Sequence, residues 1–182
     1  MAQPSTLYRF RIDLSDVDRG IYETLDFRVA QHPSEAPIYL MTRVIAYALN
    51  VGEGVGFVPG GLSDPDSPCI QALSEHGKSV LWIEIGSPSA RKLHKASKAS
   101  DLVKVYTYKN PELLMNEVNA GEVHQVEKIE FYSIDQKFLQ GLADATRRDN
   151  HWTLLRSDGS LDIGSGDLSF NAELKQHFPQ SC

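Results

Sequence analysis

The sequence predicts an α/β protein built on a mixed sheet, and three observations carry that reading. Residues Leu7–Leu14 and Ile21–Ala30 alternate polar and apolar side chains, the period of a half-buried strand. Residues Ser79–Ile85 are almost wholly apolar until Glu84, as in a central strand buried on both faces. A helical stretch separates that run from a further strand at Leu102–Tyr108, so the two strands are expected to be parallel and joined by a right-handed crossover.

The elements follow in order. In the first strand Tyr8, Phe10, Ile12 and Leu14 share one face and Leu7, Arg9, Arg11 and Asp13 the other. The turn Ser15-Asp16-Val17-Asp18-Arg19-Gly20 leads into the second strand, where Leu25, Phe27 and Val29 alternate against Thr24, Asp26 and Arg28. The pair forms an antiparallel N-terminal hairpin. His32-Pro33-Ser34-Glu35 reads as a helix entry, with Ser34 as cap and Glu35 at the positive end of the dipole. Ile38, Met41, Ile45 and Ala48 recur at helical spacing, and Asn50–Gly56 ends that helix. Val55–Val58 is a short strand and Pro59-Gly60-Gly61 a break.

Ser87-Pro88 opens the crossover helix, with Pro in the first turn where its missing N–H costs nothing, and Lys98–Ser100 closes it. Pro111–Asn119 reads as a helix, Val126–Ser133 as a strand and Asp135–Thr146 as another helix. Trp152–Arg156 and Leu161–Ile163 flank an Asp-Gly turn and form a hairpin, followed by a short strand at Asp167–Phe170. No repeat, low-complexity run or linker interrupts the chain. The expectation is a single α/β domain over residues 1–182, a mixed sheet flanked by helices.

A chain of 182 residues with 41% hydrophobic side chains can bury a core. Its net charge of −6 argues against a protein that coats nucleic acid through overall charge. The dense cationic run is Arg91–Lys98, extended by Lys104 and Lys109. The two cysteines, Cys69 and Cys182, form neither a disulfide framework nor a zinc spacing, and Cys182 reads as a free thiol on a terminal tail. With no long apolar window and no leader-like N-terminus, the reading is a soluble, cytoplasmic protein without a membrane partner.

The chemistry concentrates in two acids. Asp66 lies in the loop Ser63-Asp64-Pro65-Asp66-Ser67-Pro68, and Glu84 sits near the carboxyl end of an apolar strand, where open α/β sheets place their sites. A buried carboxylate is costly unless partnered. Two carboxylates with waters suffice for Mg²⁺ or Mn²⁺, and the Ile85 carbonyl is a third candidate oxygen. The plain alternative is a turn residue and an ion-paired strand acid. On the following helix Arg91, Lys95 and Lys98 share a face, while Lys92 is turned away by about a third of a revolution. A cation reaching Glu84 would orient a water or hold a phosphate; otherwise this face is solvated. Glu35, eight residues before Arg43 on the earlier helix, is a candidate third acid, its plain role a dipole contact of ~0.3–1 kcal/mol. Asp16-Val17-Asp18 offers two acids that could ligate a metal, but two acids in a hairpin turn are more often solvated. The glycine stretches match no phosphate loop, and the scattered histidines build neither a zinc site nor a triad.

The order of hairpin, helix, Asp loop, Glu strand and cationic helix is similar to that of the PD-(D/E)xK nuclease-like superfamily. More closely, the chain resembles the YaeQ family of bacterial proteins. The stretches that carry this are Asp16-Val17-Asp18-Arg19, His32-Pro33-Ser34-Glu35, Met41 with Arg43, Gly61-Leu62, Asp66-Ser67-Pro68, Trp82-Ile83-Glu84-Ile85-Gly86 with Pro88, Arg91 with Lys95-Ala96, and Thr107-Tyr108. They cover the chain to about residue 108; the last third matches in length and pattern. The resemblance implies a restriction-endonuclease-like α/β fold with Asp66 and Glu84 as metal ligands. It places a lysine two residues after the glutamate, where this chain has Gly86, and leaves Lys95 or Arg91 to supply the cation. The family it points to has no established activity.

Two functions are consistent with these residues. One is a nuclease-like pocket of Glu35, Asp66, Glu84, Arg91 and Lys95 that hydrolyses a phosphodiester with Mg²⁺ or Mn²⁺. The other is a non-catalytic module that uses the same pocket to bind nucleic acid, through the Arg91–Lys98 helix, or a protein.

Overall fold

A computed structural model describes residues 4–60, 62 and 64–180, so the expectations that fall on Cys182, Gly61 and Ser63 lie outside the described residues. In chain order the elements are β1 (Thr6–Asp16), β2 (Ile21–Gln31), α1 (Pro37–Leu49), β3 (Val55–Phe57), β4 (Ile70–Leu73), β5 (Ser79–Ile85), α2 (Ala90–Ala99), β6 (Ser100–Thr107) and α3 (Pro111–Ala120). They continue with β7 (Ile129–Ser133), α4 (Gln136–Ala145), β8 (Asp149–Ser157), β9 (Ser160–Ser165), β10 (Leu168–Glu173) and β11 (Lys175–His177). They form two compact units: residues up to Leu49 with Ile134–Leu174, and Asn50–Ser133 with the segment from Lys175.

The first unit holds a five-stranded sheet in the order β10-β9-β8-β1-β2. β1 and β2 pair antiparallel from Asp16↔Ile21 to Thr6↔Gln31, the hairpin that the alternation predicts. On its other side β1 runs parallel to β8. Phe10, Ile12 and Leu14 of β1 and Trp152 and Leu154 of β8 are buried, and the Phe10 ring meets Trp152 edge-on at 4.9 Å. α1 packs against β1, β2 and α4, and α4 against β10. Each fully buried large side chain contributes about 1.5–3 kcal/mol.

Two expectations in this unit are corrected. Ser34 and Glu35 do not open α1, which begins at Pro37. Pro at the first helical position disfavours helical backbone at the residue before it, so the 32–36 segment stays a turn and the Ser34 hydroxyl bonds the His32 ring at 2.6 Å. Nor is the Asp16–Asp18 turn simply solvated. Asp16 is fully buried beside Arg156 (3.5 Å) and Arg19 (3.8 Å). The Asp18 carboxylate accepts from the N–H groups of Asp158 and Gly159 at 2.7 and 3.1 Å. Both of those residues have positive φ, as an Asp-Gly hairpin turn requires. One hairpin tip thus caps the other.

The second unit holds a six-stranded sheet in the order β11-β7-β6-β5-β4-β3. β5 is interior and parallel to β6, as the crossover predicts, and β6 is in turn parallel to β7. Its core joins Trp82, Val103, Val105, Ile129 and Phe131 of the strands to Leu93 and Ala96 of α2 and Leu114 and Val118 of α3. α2 starts two residues later than predicted, because Ser89 takes the cap: its hydroxyl accepts from the Lys92 N–H at 3.2 Å. The first three residues of the predicted strand Val126–Ser133 form a 3₁₀ turn. β4 and β11, of four and three residues, are too short to show a period, and the sequence pattern does not mark them.

The chain therefore builds two mixed sheets flanked by helices where the sequence predicts one. Alternation shows that a strand has one apolar face; it does not show which strand lies beside it. Among the described residues no helix is long and apolar enough to cross a membrane.

Leu93 is fully buried at the centre of the second core. Leu93→Ala should cost about 2–5 kcal/mol in denaturant unfolding, while Lys98→Ala, exposed on the same helix, should change stability by less than about 0.5 kcal/mol.

Candidate functional site

Glu84 stands one residue before the end of β5, on the strand face it shares with Trp82, since side chains two apart point the same way. It is 2% exposed. Both carboxylate oxygens are engaged: Trp82 Nε1 donates to Oε1 at 2.6 Å, and Lys92 Nζ pairs with Oε2 at 2.9 Å. Burial raises the Glu84 pKa above its ordinary value, against the opposing pull of Lys92 and the Trp82 hydrogen bond.

The expected cation therefore comes from α2, but from another residue. Lys92, expected to turn away, reaches Glu84; Lys95 pairs with Asp66 at 3.0 Å. Lys92 and Lys95 are three apart, a helical spacing that shares a face as readily as the four between Arg91 and Lys95. Which of the two faces looks toward the strand depends on the rotation of α2, set by the burial of Leu93 and Ala96.

Beside the pair lies an open cleft of about 460 Å³ lined by Pro65, Asp66, Ser89, Arg91, Lys92 and Lys95. The side chain of Asp66 is 71% exposed, yet its backbone is held: Asp66 N donates to Asp64 Oδ1 at 2.9 Å, while Ser67 Oγ bonds Asp64 Oδ2. The Ser67 hydroxyl and the Asp66 N–H lower the Asp64 pKa, assisted by the fields of Lys95 and Lys92. Lys98 is exposed in the last turn of α2, and Lys104 pairs with Glu130 at 3.3 Å.

Gly86 follows β5 with φ +88°, and its N–H donates to the Tyr106 carbonyl at 2.9 Å. An L side chain rarely adopts that conformation, although a Cβ there would meet nothing within 4 Å. The backbone, not crowding, disfavours a lysine at this position.

Glu35 belongs to the first unit. It lies in the turn before α1, not on the helix with Arg43. Its Oε2 accepts from His32 N and pairs with Arg43 Nη2, each at 3.0 Å, while Oε1 has no hydrogen-bond partner among the described residues. Burial raises its pKa against the pull of Arg43.

The donor set bears on the Mg²⁺ or Mn²⁺ expectation. Among the described residues no group of three or more His, Cys, Asp and Glu is arranged to hold a metal ion. A dication needs open carboxylate oxygens, and at Glu84 both are occupied, one by an ammonium. As arranged, each acid is paired with a lysine, so an ion at Glu84 would have to displace Lys92.

Fold and site together define an α/β protein in which a buried strand acid is held by a cationic crossover helix at the edge of an open cleft. The chain belongs to the YaeQ family, whose match, described as YaeQ protein, covers residues 1–174. The uncharacterised YaeQ protein of Escherichia coli (strain K12) is 32% identical over 108 residues, and that of Salmonella typhi likewise. Each match spans 59% of this chain and 59% of the relative, so the chain covers under two thirds of the length of these curated relatives. The crystal structure of YaeQ from Pseudomonas syringae superposes with a TM-score of 0.89 at 28% identity, over 98% of this chain and 99% of that one. YaeQ from Xanthomonas axonopodis pv. citri gives a TM-score of 0.89 at 25% identity, over 97% and 99%.

Two measurements check this geometry. Gly86→Ala should cost about 1–3 kcal/mol through backbone strain alone, read by denaturant unfolding. The second concerns pH. A carboxyl whose pKa is raised on folding contributes stability that is full below its unfolded value, 4.5 for glutamate, and lost as pH rises toward the folded value. Unfolding free energy measured from below 4.5 to neutrality should therefore fall more steeply in the wild type than in Glu84→Gln.

Proposed function

We propose that the α2 cleft binds the phosphodiester backbone of a nucleic acid. The observation that carries this reading is the lining of the cleft: Arg91, Lys92 and Lys95 border it with one acid, Asp66, and Arg91 is left over once Lys92 pairs with Glu84 and Lys95 with Asp66. Arg91 is exposed, and no side-chain partner engages it among the described residues. A guanidinium with an open fork is suited to a phosphate. The attraction is local, because the chain as a whole is acidic and its mean field repels nucleic acid.

The acid on the strand and the cation on the following helix also support reading the second unit as a variant of the PD-(D/E)xK nuclease-like superfamily, with its restriction-endonuclease-like fold. One observation favours a second, hydrolytic reading: the 2.9 Å Lys92–Glu84 pair supplies from α2 the lysine that the superfamily pattern puts at Gly86.

The test is fluorescence anisotropy with a labelled oligodeoxythymidine over a series of salt concentrations. Wild type should bind, and Arg91→Ala should bind more weakly, with a log K against log salt slope smaller by about 0.7, one phosphate contact to a single strand. Equal affinity and slope for the two proteins would remove the binding reading. Cleavage of the probe with added Mn²⁺, lost in Glu84→Gln and Lys92→Ala, would select the hydrolytic one.

A further inference from the structure

We infer that Asp66 is a built-in competitor for the phosphate seat, a contact that holds the cleft in a restrained state until a polyanion displaces it. The inference rests on the phosphodiester-binding reading above and concerns the regulation of that site.

Both lysines of the cleft are neutralised by the chain itself, but in different ways. Lys92 is held by Glu84, whose side chain is 3% exposed, bonded by Trp82 and fixed on an interior strand. No ligand removes that carboxylate without unpacking the sheet. Lys95 is held by Asp66, and there both side chains are more than half exposed, 51% and 71%. An ion pair so exposed is weak, because water screens both charges. A polyanion can therefore replace it.

The loop places this carboxylate in position. Asp64 receives the Asp66 N–H and the Ser67 hydroxyl, bonds that favour the turn from which the Asp66 side chain meets Lys95. Asp66 is the one acid among the residues that line the cleft. It satisfies Lys95 as a phosphate oxygen would, an anion at 3.0 Å from the ammonium. A bound phosphate must either displace it or accept its repulsion. Arg91, with no competing acid, is the residue at which the ligand first engages.

The consequence separates this role from that of a ligand-binding or metal-binding acid. Removing the charge of Asp66 should tighten binding instead of weakening it. In the anisotropy assay with labelled oligodeoxythymidine, without divalent metal, Asp66→Asn should bind about two- to five-fold more tightly than wild type, the fold equivalent of an exposed ion pair. Its salt slope should be steeper by about 0.7, since Lys95 then has no ion pair to give up to the polyanion. In a Lys95→Ala background Asp66→Asn should have a clearly smaller effect, because the contact it releases is already gone.

Failure of the inference differs from failure of the underlying reading. If wild type binds and Arg91→Ala weakens it, but Asp66→Asn binds equally or more weakly, the competitor role is wrong and the binding reading stands. If neither wild type nor Asp66→Asn binds, both are wrong. If Asp66→Asn binds where wild type does not, the inference is upheld in its strongest form. An equal gain in the Lys95→Ala background would overturn it, since the gain would then owe nothing to the Asp66–Lys95 contact.

Discussion

The burial of one carboxylate organises the second unit. Glu84 lies on an interior strand with almost no exposure, and a charge there is tolerated only if its oxygens are met. Trp82 meets one from the same strand face and Lys92 the other from the crossover helix. Removing one partner of such a pair typically costs about 3–5 kcal/mol, because the other is left charged and unpaired. The pair is compatible with only one rotation of α2 over the sheet, the one that the burial of Leu93 and Ala96 sets. With that rotation set, Lys95 meets the Asp66 loop and Arg91 borders the cleft.

A different arrangement stabilises the first unit. Its two hairpin tips are joined by acids: Asp16 beside Arg156, and Asp18 on the N–H groups of the Asp158-Gly159 turn. These residues lie at opposite ends of the chain, so the parallel pairing of β1 with β8 is sealed at one end by charge-assisted bonds. Glu35 with Arg43 is a second buried ion pair in this unit, and it ties the turn before α1 to the helix itself. The acids that look most alike in the sequence thus have different duties: Asp16, Asp18 and Glu35 hold structure, while Asp66 faces an open cleft.

Much of the fold was legible because local pattern and tertiary outcome agree. The hairpin, the interior β5, its parallel neighbour β6 and the helices after it follow from period, apolar run and turn chemistry. The departures have identifiable causes. Pro37 moved the start of α1 past Ser34 and Glu35, a signal present in the sequence and outweighed there by the Ser-Glu pair. Ser89 in place of Ser87 caps α2. β4 and β11 are too short to carry a period. Of the candidate site residues, the structure brings Asp66, Arg91 and Lys95 to one cleft with Lys92, which links it to Glu84. Glu35 lies in the other unit, bound to Arg43.

By itself the sequence determined which side chains carry charge into apolar surroundings. A glutamate in the Trp-Ile-Glu-Ile run must be buried and must be partnered, and a helix of cations beside it is the nearest source. Only the tertiary structure decided which cation. Arg91, Lys92 and Lys95 lie within little more than one turn, and a rotation of α2 by about a third of a turn would exchange their roles. That rotation is set by Leu93 and Ala96 packing in one core with residues from Trp82 to Phe131, which no local spacing encodes. The same holds for the sheet of the first unit: β1 and β2 announce their apolar faces, but the parallel partner of β1 is β8, and pairing across most of the chain is decided by the packing of the whole unit.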